Sequence, residues 1–352
     1  MPKKILVAVL DWGLGHATRC VPIISYLLQM ECQIFIAASG PPKKILLEAF
    51  PGLVFIDPPP YDIRYPLKGR NLVFSIIKQL PRLNKLIHQE HEWLKAAIAE
   101  YGFNLIISDN RYGFYAPGVH SVIITHQLSP LSGMGPLIDK IVRKVHYRYL
   151  NRFDECWVPD LKYQGGLAGT LSHPPVLPAR VKYIGPLSRL SSGQSETASN
   201  LLVILSGPEP ARSQFEVIIR RQLEHYPGPY QLIRGLPGDS DQPLPGELNH
   251  ASAATIQKLM SEASLVICRS GYTSIMDLLK LGKKAVLVPT PGQTEQEYLA
   301  HYLDEKGLFL FVHQSAFDLA KAVERSGTYN YQTLNIDFEA YKPALQHLIN
   351  KL

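Results

Sequence analysis

The stretch Val266-Ile-Cys-Arg-Ser-Gly-Tyr-Thr-Ser-Ile-Met-Asp277, followed by Leu287-Val-Pro-Thr-Pro-Gly-Gln-Thr-Glu-Gln-Glu-Tyr298, brings together residue types that hold a nucleotide and a sugar. Residues 265–268 are a short apolar run suited to a strand covered on both faces, and Ser270-Gly271 lets the backbone turn sharply and approach a ligand. Thr273 or Ser274 can cap the helix that follows, and Gly282 can end it. On a helical wheel Ile275, Met276, Leu278, Leu279 and Leu281 cover most of the circumference, leaving a narrow polar sector of Asp277 and Lys280. Asp277 stands one turn from the positive helix end, where it can accept both hydroxyls of a ribose while free N–H groups of the turn face a diphosphate. The spacing equally allows an Asp277–Lys280 surface pair. The second stretch is a buried strand followed by a polar turn of Gln293, Thr294, Glu295 and Gln296. Together they suit an activated sugar held at the carboxyl ends of parallel strands.

The amino-terminal part supplies a second constellation. Residues 3–10 read as a buried strand, and Asp11-Trp-Gly-Leu-Gly-His-Ala-Thr-Arg19 is the loop into the first helix. It is not a dinucleotide fingerprint, because Thr18 stands at the third glycine position. Gly13 and Gly15 make a turn that presents His16 beside a helix start, and the helix end disfavours the imidazolium, so His16 would stay neutral and able to accept a proton. Pro22 leaves the helix start undefined, and a histidine after a glycine turn can also be structural. A third group comes from residues 105–113 and 122–128, two apolar strands that end in polar clusters. Open α/β sheets place ligands at such strand ends. Asp109, Asn110, Arg111, His126 and Gln127 are therefore expected on the rim that His16 occupies, with Asp109 able to orient His16.

Cys268-Arg-Ser-Gly271, the acid at Asp277, and Pro289 followed by a Gln-rich turn resemble the donor half of the MurG family of N-acetylglucosaminyltransferases and of GT-B glycosyltransferases more widely. The acid is Asp277 where that family usually has Glu. The loop ending in His16 resembles the glycine-rich first loop of the same enzymes, with Asp11-Trp12 ahead of only two glycines. His126-Gln127 is similar in position to a longer His-Glu-Gln-Asn stretch there. The resemblance implies nucleotide contacts at Ser270, Gly271 and Asp277, with Arg269 in the same turn, and donor-sugar contacts at Gln293, Thr294, Glu295 and Gln296. Ser206-Gly-Pro-Glu-Pro-Ala-Arg212 resembles the loop that GT-B enzymes set by the donor diphosphate, with N–H groups from Ser206 and Gly207 and a charge from Arg212.

These residues need a scaffold that alternates strand and helix. Apolar runs at 33–37, 53–56, 105–108, 122–125, 155–158 and 181–184, with helices such as 72–101 between them, predict a parallel sheet. The pattern restarts at 201–205, 230–233, 265–268, 284–288 and 308–311. The expected fold is α/β, with two doubly wound Rossmann-like domains facing a cleft. The acceptor-side domain would span 1–186, a polar linker 187–200 and the donor domain 201–335, with a last helix at 336–352 returning to the first domain. Asp239 and Asp241 mimic a metal-binding acid pair, but their Gly- and Pro-rich surroundings read as a solvated turn.

Composition bounds the rest. The 352 residues are 46% hydrophobic, enough for two cores, and the formal net charge of +6 calls for an anionic partner. Cys20, Cys32, Cys156 and Cys268 show no paired spacing, so neither a disulfide framework nor a zinc site is indicated, and a reducing cytoplasm is the simplest setting. The apolar run after Lys3-Lys4 stops at Asp11, too short for a signal peptide, and no stretch approaches the roughly 20 apolar residues that span a bilayer. Basic residues gather at Arg64, Lys68 and Arg70, in a loop at 58–70 suited to acceptor recognition. Others gather at Lys140, Arg143, Lys144, Arg148 and Arg152, on a helix expected at 135–153. That helix has an apolar side of Ile138, Ile141, Val142, Val145, Tyr149 and Leu150, so it either packs on the core or lies on an anionic membrane at the inner face. No nucleic-acid reader motif is present.

The sequence thus points to inverting transfer of a sugar from a nucleoside-diphosphate donor, uridine by resemblance, to an acceptor hydroxyl; a lipid-linked acceptor is one candidate. His16 would be the base, with Asp109 and His126 beside it, and no metal or cofactor would be required. A nucleotide-sugar hydrolase or epimerase on the same scaffold, or a non-catalytic nucleotide-sugar sensor, are the alternatives.

Overall fold

A computed structural model describes residues 2–11, 13–60, 72–191, 200–236 and 242–352, with backbone alone for 72–81. The chain divides into two compact units, Met1–Arg189 with Asp337–Leu352, and Leu190–Ile336. Arg64, Lys68, Arg70, Asp239, Asp241 and most of the 187–200 stretch lie outside the described residues.

Unit 1 holds strands β1 (Lys4–Val9), β2 (Gln33–Ala37), β3 (Val54–Ile56), β4 (Leu105–Asp109), β5 (His120–Ile124), β6 (Glu155–Val158) and β7 (Val181–Tyr183). All pair in parallel, in the order β3-β2-β1-β4-β5-β6-β7. Because a strand turns successive side chains to opposite faces, β1 feeds two cores at once. Ile5, Val7 and Val9 join Ile34, Ile36, Leu105 and Ile107 under α1 (Leu14–Gln29). Leu6 and Ala8 join Phe35 and Ile106 against Leu94 and Ala97 of α3 (Leu72–Tyr101). Burial on both faces explains why these strands are nearly continuous apolar runs. The final helix, Tyr341–Lys351, adds Leu345, Leu348 and Ile349 to the α1 core of this unit.

Unit 2 repeats the plan with β8 (Asn200–Ile204), β9 (Tyr230–Ile233), β10 (Glu247–Leu248), β11 (Ala263–Cys268), β12 (Ala285–Leu287) and β13 (Leu310–Phe311), all parallel in the order β10-β9-β8-β11-β12-β13. Leu201, Val203, Ile267 and Val286 pack on Phe215 and Ile219 of α5 (Ala211–Leu223). In each sheet the winding reverses beside its first strand, between β1 and β4 and between β8 and β11. That reversal opens a crevice at the carboxyl ends, which is where such folds take ligands.

Local differences from the sequence expectation have simple causes. Helix α1 starts at Leu14 and continues past Pro22, whose missing N–H deprives only the Thr18 carbonyl of its partner. Helix α7 (Tyr272–Lys280) takes Gly271 as its N-cap without a side-chain cap bond, so Thr273 and Ser274 lie inside its first turn; Gly282 follows its end at φ 60. Helix α4 runs Pro136–Leu150 and buries only His146 and Leu150, so Ile141 faces outward at 59% exposure instead of joining the core. The two-residue β10 was not expected. No helix among the described residues is long and apolar enough to cross a membrane.

Candidate active site

The β1–β4 reversal gathers a polar cluster inside unit 1. Gly13 at φ 84 turns the chain out of β1, so His16 falls in the first turn of α1 with its side chain 17% exposed. Asp109, the last residue of β4, is fully buried, and its Oδ1 lies 2.8 Å from His16 Nδ1. Arg19, one turn further along α1, donates from Nε to Asp109 Oδ2 at 2.5 Å and from Nη2 to Oδ1. Its Nη1 stands 2.9 Å from His126 Nδ1, in the segment after β5. Arginine has no acceptor, so His126 Nδ1 receives that hydrogen bond.

The tautomer of His16 follows from what surrounds Nδ1. The Asp109 carboxylate at 2.8 Å and Arg19 Nη2 at 2.9 Å both approach it. A lone pair on Nδ1 would face the full negative charge of the nearer oxygen, a repulsion that outweighs what the second Nη2 hydrogen of Arg19 could offer it. Nδ1 therefore carries the hydrogen and donates to Asp109, which leaves Nε2 as the basic nitrogen. Burial, reinforced by the charges of Arg19 and His126, lowers the His16 pKa below 6.5, while Asp109 opposes that shift. Burial works to raise the Asp109 pKa, but the Arg19 and His16 charges and hydrogen bonds prevail and hold its carboxyl well below the usual carboxylate range.

The turn after β4 is braced separately. Asn110 adopts φ 55, and its buried Oδ1 has no hydrogen-bond partner among the described residues. Arg111 is fully buried, donating to Glu90 Oε1 at 2.7 Å and to the Val9 carbonyl at 3.3 Å, while the Gly113 N–H donates to Glu90 Oε2. Arg111 thus ties the turn to α3 rather than lining an open rim. Gln127, partly exposed, donates its backbone N–H to Thr125 Oγ1.

In unit 2 the β8–β11 reversal places Ser206 and Gly207, both exposed, at the end of β8, and Arg269-Ser270-Gly271 at the end of β11. Arg212 differs from expectation. Its fork is spent on Glu209 at 2.6 Å and Glu216 at 2.7 Å, so it brings no net positive charge to the loop. Arg269 is 1% exposed and donates to the carbonyls of Val288, Pro289 and Ala211, with its guanidinium 4.4 Å from the Phe215 ring centre. Burial lowers its pKa to about 10, leaving it charged at neutral pH. Ser270 is fully buried and its hydroxyl donates to the Gln296 carbonyl. Asp277 sits on α7 at 8% exposure. Gln293 precedes α8 (Thr294–Glu305), whose first turn contains Thr294, Glu295 and Gln296; the Gln296 side chain accepts from the Thr290 N–H and donates to Gln293 Oε1.

Two residues were missed from sequence. Arg19 looks like a solvated helix residue until β4 and β5 are in register, although its spacing of three from His16 already placed both on one face. Thr290 has a buried hydroxyl without a partner among the described residues, 3.6 Å from the position a Cβ would take on Gly207.

Residues 250–339 match the glycosyltransferase family 28 C-terminal domain. A UDP-N-acetylglucosamine--N-acetylmuramyl-(pentapeptide) pyrophosphoryl-undecaprenol N-acetylglucosamine transferase of Desulforudis audaxviator is 44% identical over 59 residues, which is 16% of each chain. A protein of the same description from Methylobacterium sp. is 29% identical over 126 residues, 33% of this chain and 31% of that one. The chain therefore matches these curated relatives over less than a third of their length. Among solved structures, MurG of Acinetobacter baumannii superposes with a TM-score of 0.55 at 15% identity, covering 100% of both chains. The spinosyn rhamnosyltransferase SpnG, complexed with thymidine diphosphate, gives 0.62 at 14% identity over 99% of this chain and 96% of that one. The chain thus has the GT-B fold, with its residues 250–339 similar to the glycosyltransferase family 28 C-terminal domain and part of its length similar to part of the MurG-type transferases.

Proposed function

We propose that this protein transfers a sugar from a nucleoside-diphosphate donor, a uridine one by its relatives' names, to an acceptor hydroxyl with inversion. The observation that carries the reading is the 2.8 Å contact of His16 with Asp109 at the β1–β4 crevice, in a chain that also bears the family 28 domain. His16 Nε2 takes the acceptor proton as the acceptor oxygen bonds to the anomeric carbon. The bond from that carbon to the diphosphate breaks on the opposite face, and the nucleoside diphosphate leaves. Asp109 stabilises the imidazolium that forms. In unit 2, N–H groups of the Ser206–Gly207 and Ser270–Gly271 turns and the charge of Arg269 receive the diphosphate. Asp277 takes the ribose, and Gln293, Thr294, Glu295 and Gln296 the donor sugar. Asn110, with its unpartnered buried oxygen, and Gln127 serve the acceptor. The exposed Leu137 and Ile141 beside basic residues of α4 support a lipid-linked acceptor reached from an anionic membrane surface.

The test is His16→Ala, assayed with a panel of nucleotide sugars. Turnover is expected to fall by at least about 10² while donor binding stays nearly unchanged, because the base acts only as the acceptor attacks. In the wild type, kcat/KM should rise with pH through a midpoint below that of a free histidine, since the basic form is the neutral ring. Near-normal turnover in His16→Ala would move the base to Asp109 or His126. Release of free sugar without acceptor transfer would mark a hydrolase.

A further inference from the structure

Arg19 carries no role in the transfer chemistry above, yet it touches each polar member of the unit 1 cluster. It is 3% exposed and reaches both Asp109 oxygens and His126 Nδ1 with three different nitrogens. Only a planar guanidinium delivers three donors in such fixed directions; a lysine offers one point charge. Besides Arg19, the Asp109 carboxylate meets His16 Nδ1 and the Cys20 thiol, whose Sγ stands 3.4 Å from Oδ2. A fully buried carboxylate with only those two partners would be free to turn toward the thiol, and burial would favour its protonated form.

We propose that Arg19 is the positioning residue of the His16–Asp109 pair, clamping both carboxylate oxygens so that Oδ1 stays aimed at His16 Nδ1 while His126 is held with Nδ1 as acceptor. This rests on the reading of His16 as the base. The groups facing His16 are Asp109 from β4, Arg19 on α1 and His126 after β5, while the charges of Asp109 and Arg19 also reach Cys20 on α1 and Tyr112 from the turn after β4. Arg19 therefore has two opposed effects. It keeps Asp109 ionised, which favours the imidazolium, and its own charge disfavours the imidazolium. His16 itself also holds Asp109 ionised, so the direct charge of Arg19 prevails and, together with burial, keeps His16 neutral before reaction, with a carboxylate ready to stabilise it afterwards.

The experiment is a histidine NMR titration of the full chain, with steady-state kinetics and nucleotide calorimetry, on wild type, Arg19→Gln and Arg19→Lys. The wild-type ¹⁵N shifts should show Nδ1 as the protonated nitrogen of His16. Arg19→Gln should move the His16 midpoint to higher pH, lower kcat by about 10- to 100-fold, within the range a positioned base supplies, and leave nucleotide affinity within about twofold. Arg19→Lys keeps the charge, so the midpoint should stay near wild type, but kcat should still fall about tenfold because the fork is gone. A folded Arg19→Gln protein with an unmoved His16 midpoint overturns the proposal, and so does Arg19→Lys with full kcat. If Arg19→Gln does not fold, Arg19→Lys decides. Should the wild type transfer no sugar while Arg19→Gln still shifts His16, the glycosyltransferase reading fails and the positioning role stands.

Discussion

Asp277 and Arg212 show how neighbours decide what a charge can do. Asp277 lies on a helix beside the buried Ile275, Met276 and Leu278, so its 8% exposure opens only a small window. A short acid there is suited to one partner in one orientation, such as a pair of ribose hydroxyls. Asp277→Ala should weaken nucleotide binding by about 1.5–3 kcal/mol, the scale of hydrogen bonds to a charged group. Calorimetry showing unchanged affinity in a folded variant would remove Asp277 from the site. Arg212 has a suitable charge at a suitable strand end, but Glu209 and Glu216 flank it at three and four residues on α5 and its approach, and they neutralise it. That spacing is visible in the sequence. The burial of Arg19 is not, because it arises only when α1 is laid against β4 and β5.

At the scale of elements, what could be read from sequence was whatever local pattern dictates. Strands buried on both faces write themselves as apolar runs, and α3 keeps one amphipathic pattern from Leu72 to Tyr101. What could not be read depends on register and packing: β10 is two residues long, and α4 buries Leu150 of its apolar side together with His146 while leaving Ile141 exposed. The anchor of α4 is His146, whose Nε2 meets the Tyr112 hydroxyl at 3.1 Å in the turn that follows Asp109. Burial lowers the His146 pKa to about 4. The sign follows: between about pH 6.5 and 4 the unfolded chain takes up a proton that the native state refuses, so stability falls as pH falls, by at most about 1.4 kcal/mol per unit from this group. His146→Gln should flatten that part of the pH dependence of denaturant unfolding. An identical slope in variant and wild type would show that other groups, His16 among them, carry it.

For the whole molecule, part of the formal charge of +6 falls on α4. Lys140, Lys144 and Arg148 are exposed on a helix whose Leu137 is 79% and Ile141 59% exposed. Tyr147 of the same helix donates to the Val176 carbonyl at 2.6 Å, which fixes beside it a loop with Val176 62% and Leu177 46% exposed. Exposed aliphatic groups set among cations match an anionic bilayer: the aliphatic side chains enter the headgroup boundary and each basic residue near the surface adds about 1 kcal/mol. A protein surface partner would need carboxylates in register with these cations, whereas lipid headgroups rearrange to meet them. The chain should therefore sediment with vesicles containing phosphatidylglycerol and not with neutral ones, and binding should weaken steeply as salt rises from about 0.05 to 0.5 M, where the Debye length shortens several-fold. Leu137→Glu with Ile141→Glu should abolish sedimentation without changing donor affinity, because Asp277 and its partners belong to the other unit. If the double variant sediments like wild type, or if neutral vesicles bind equally well, α4 is not the docking surface and the acceptor must be sought in solution.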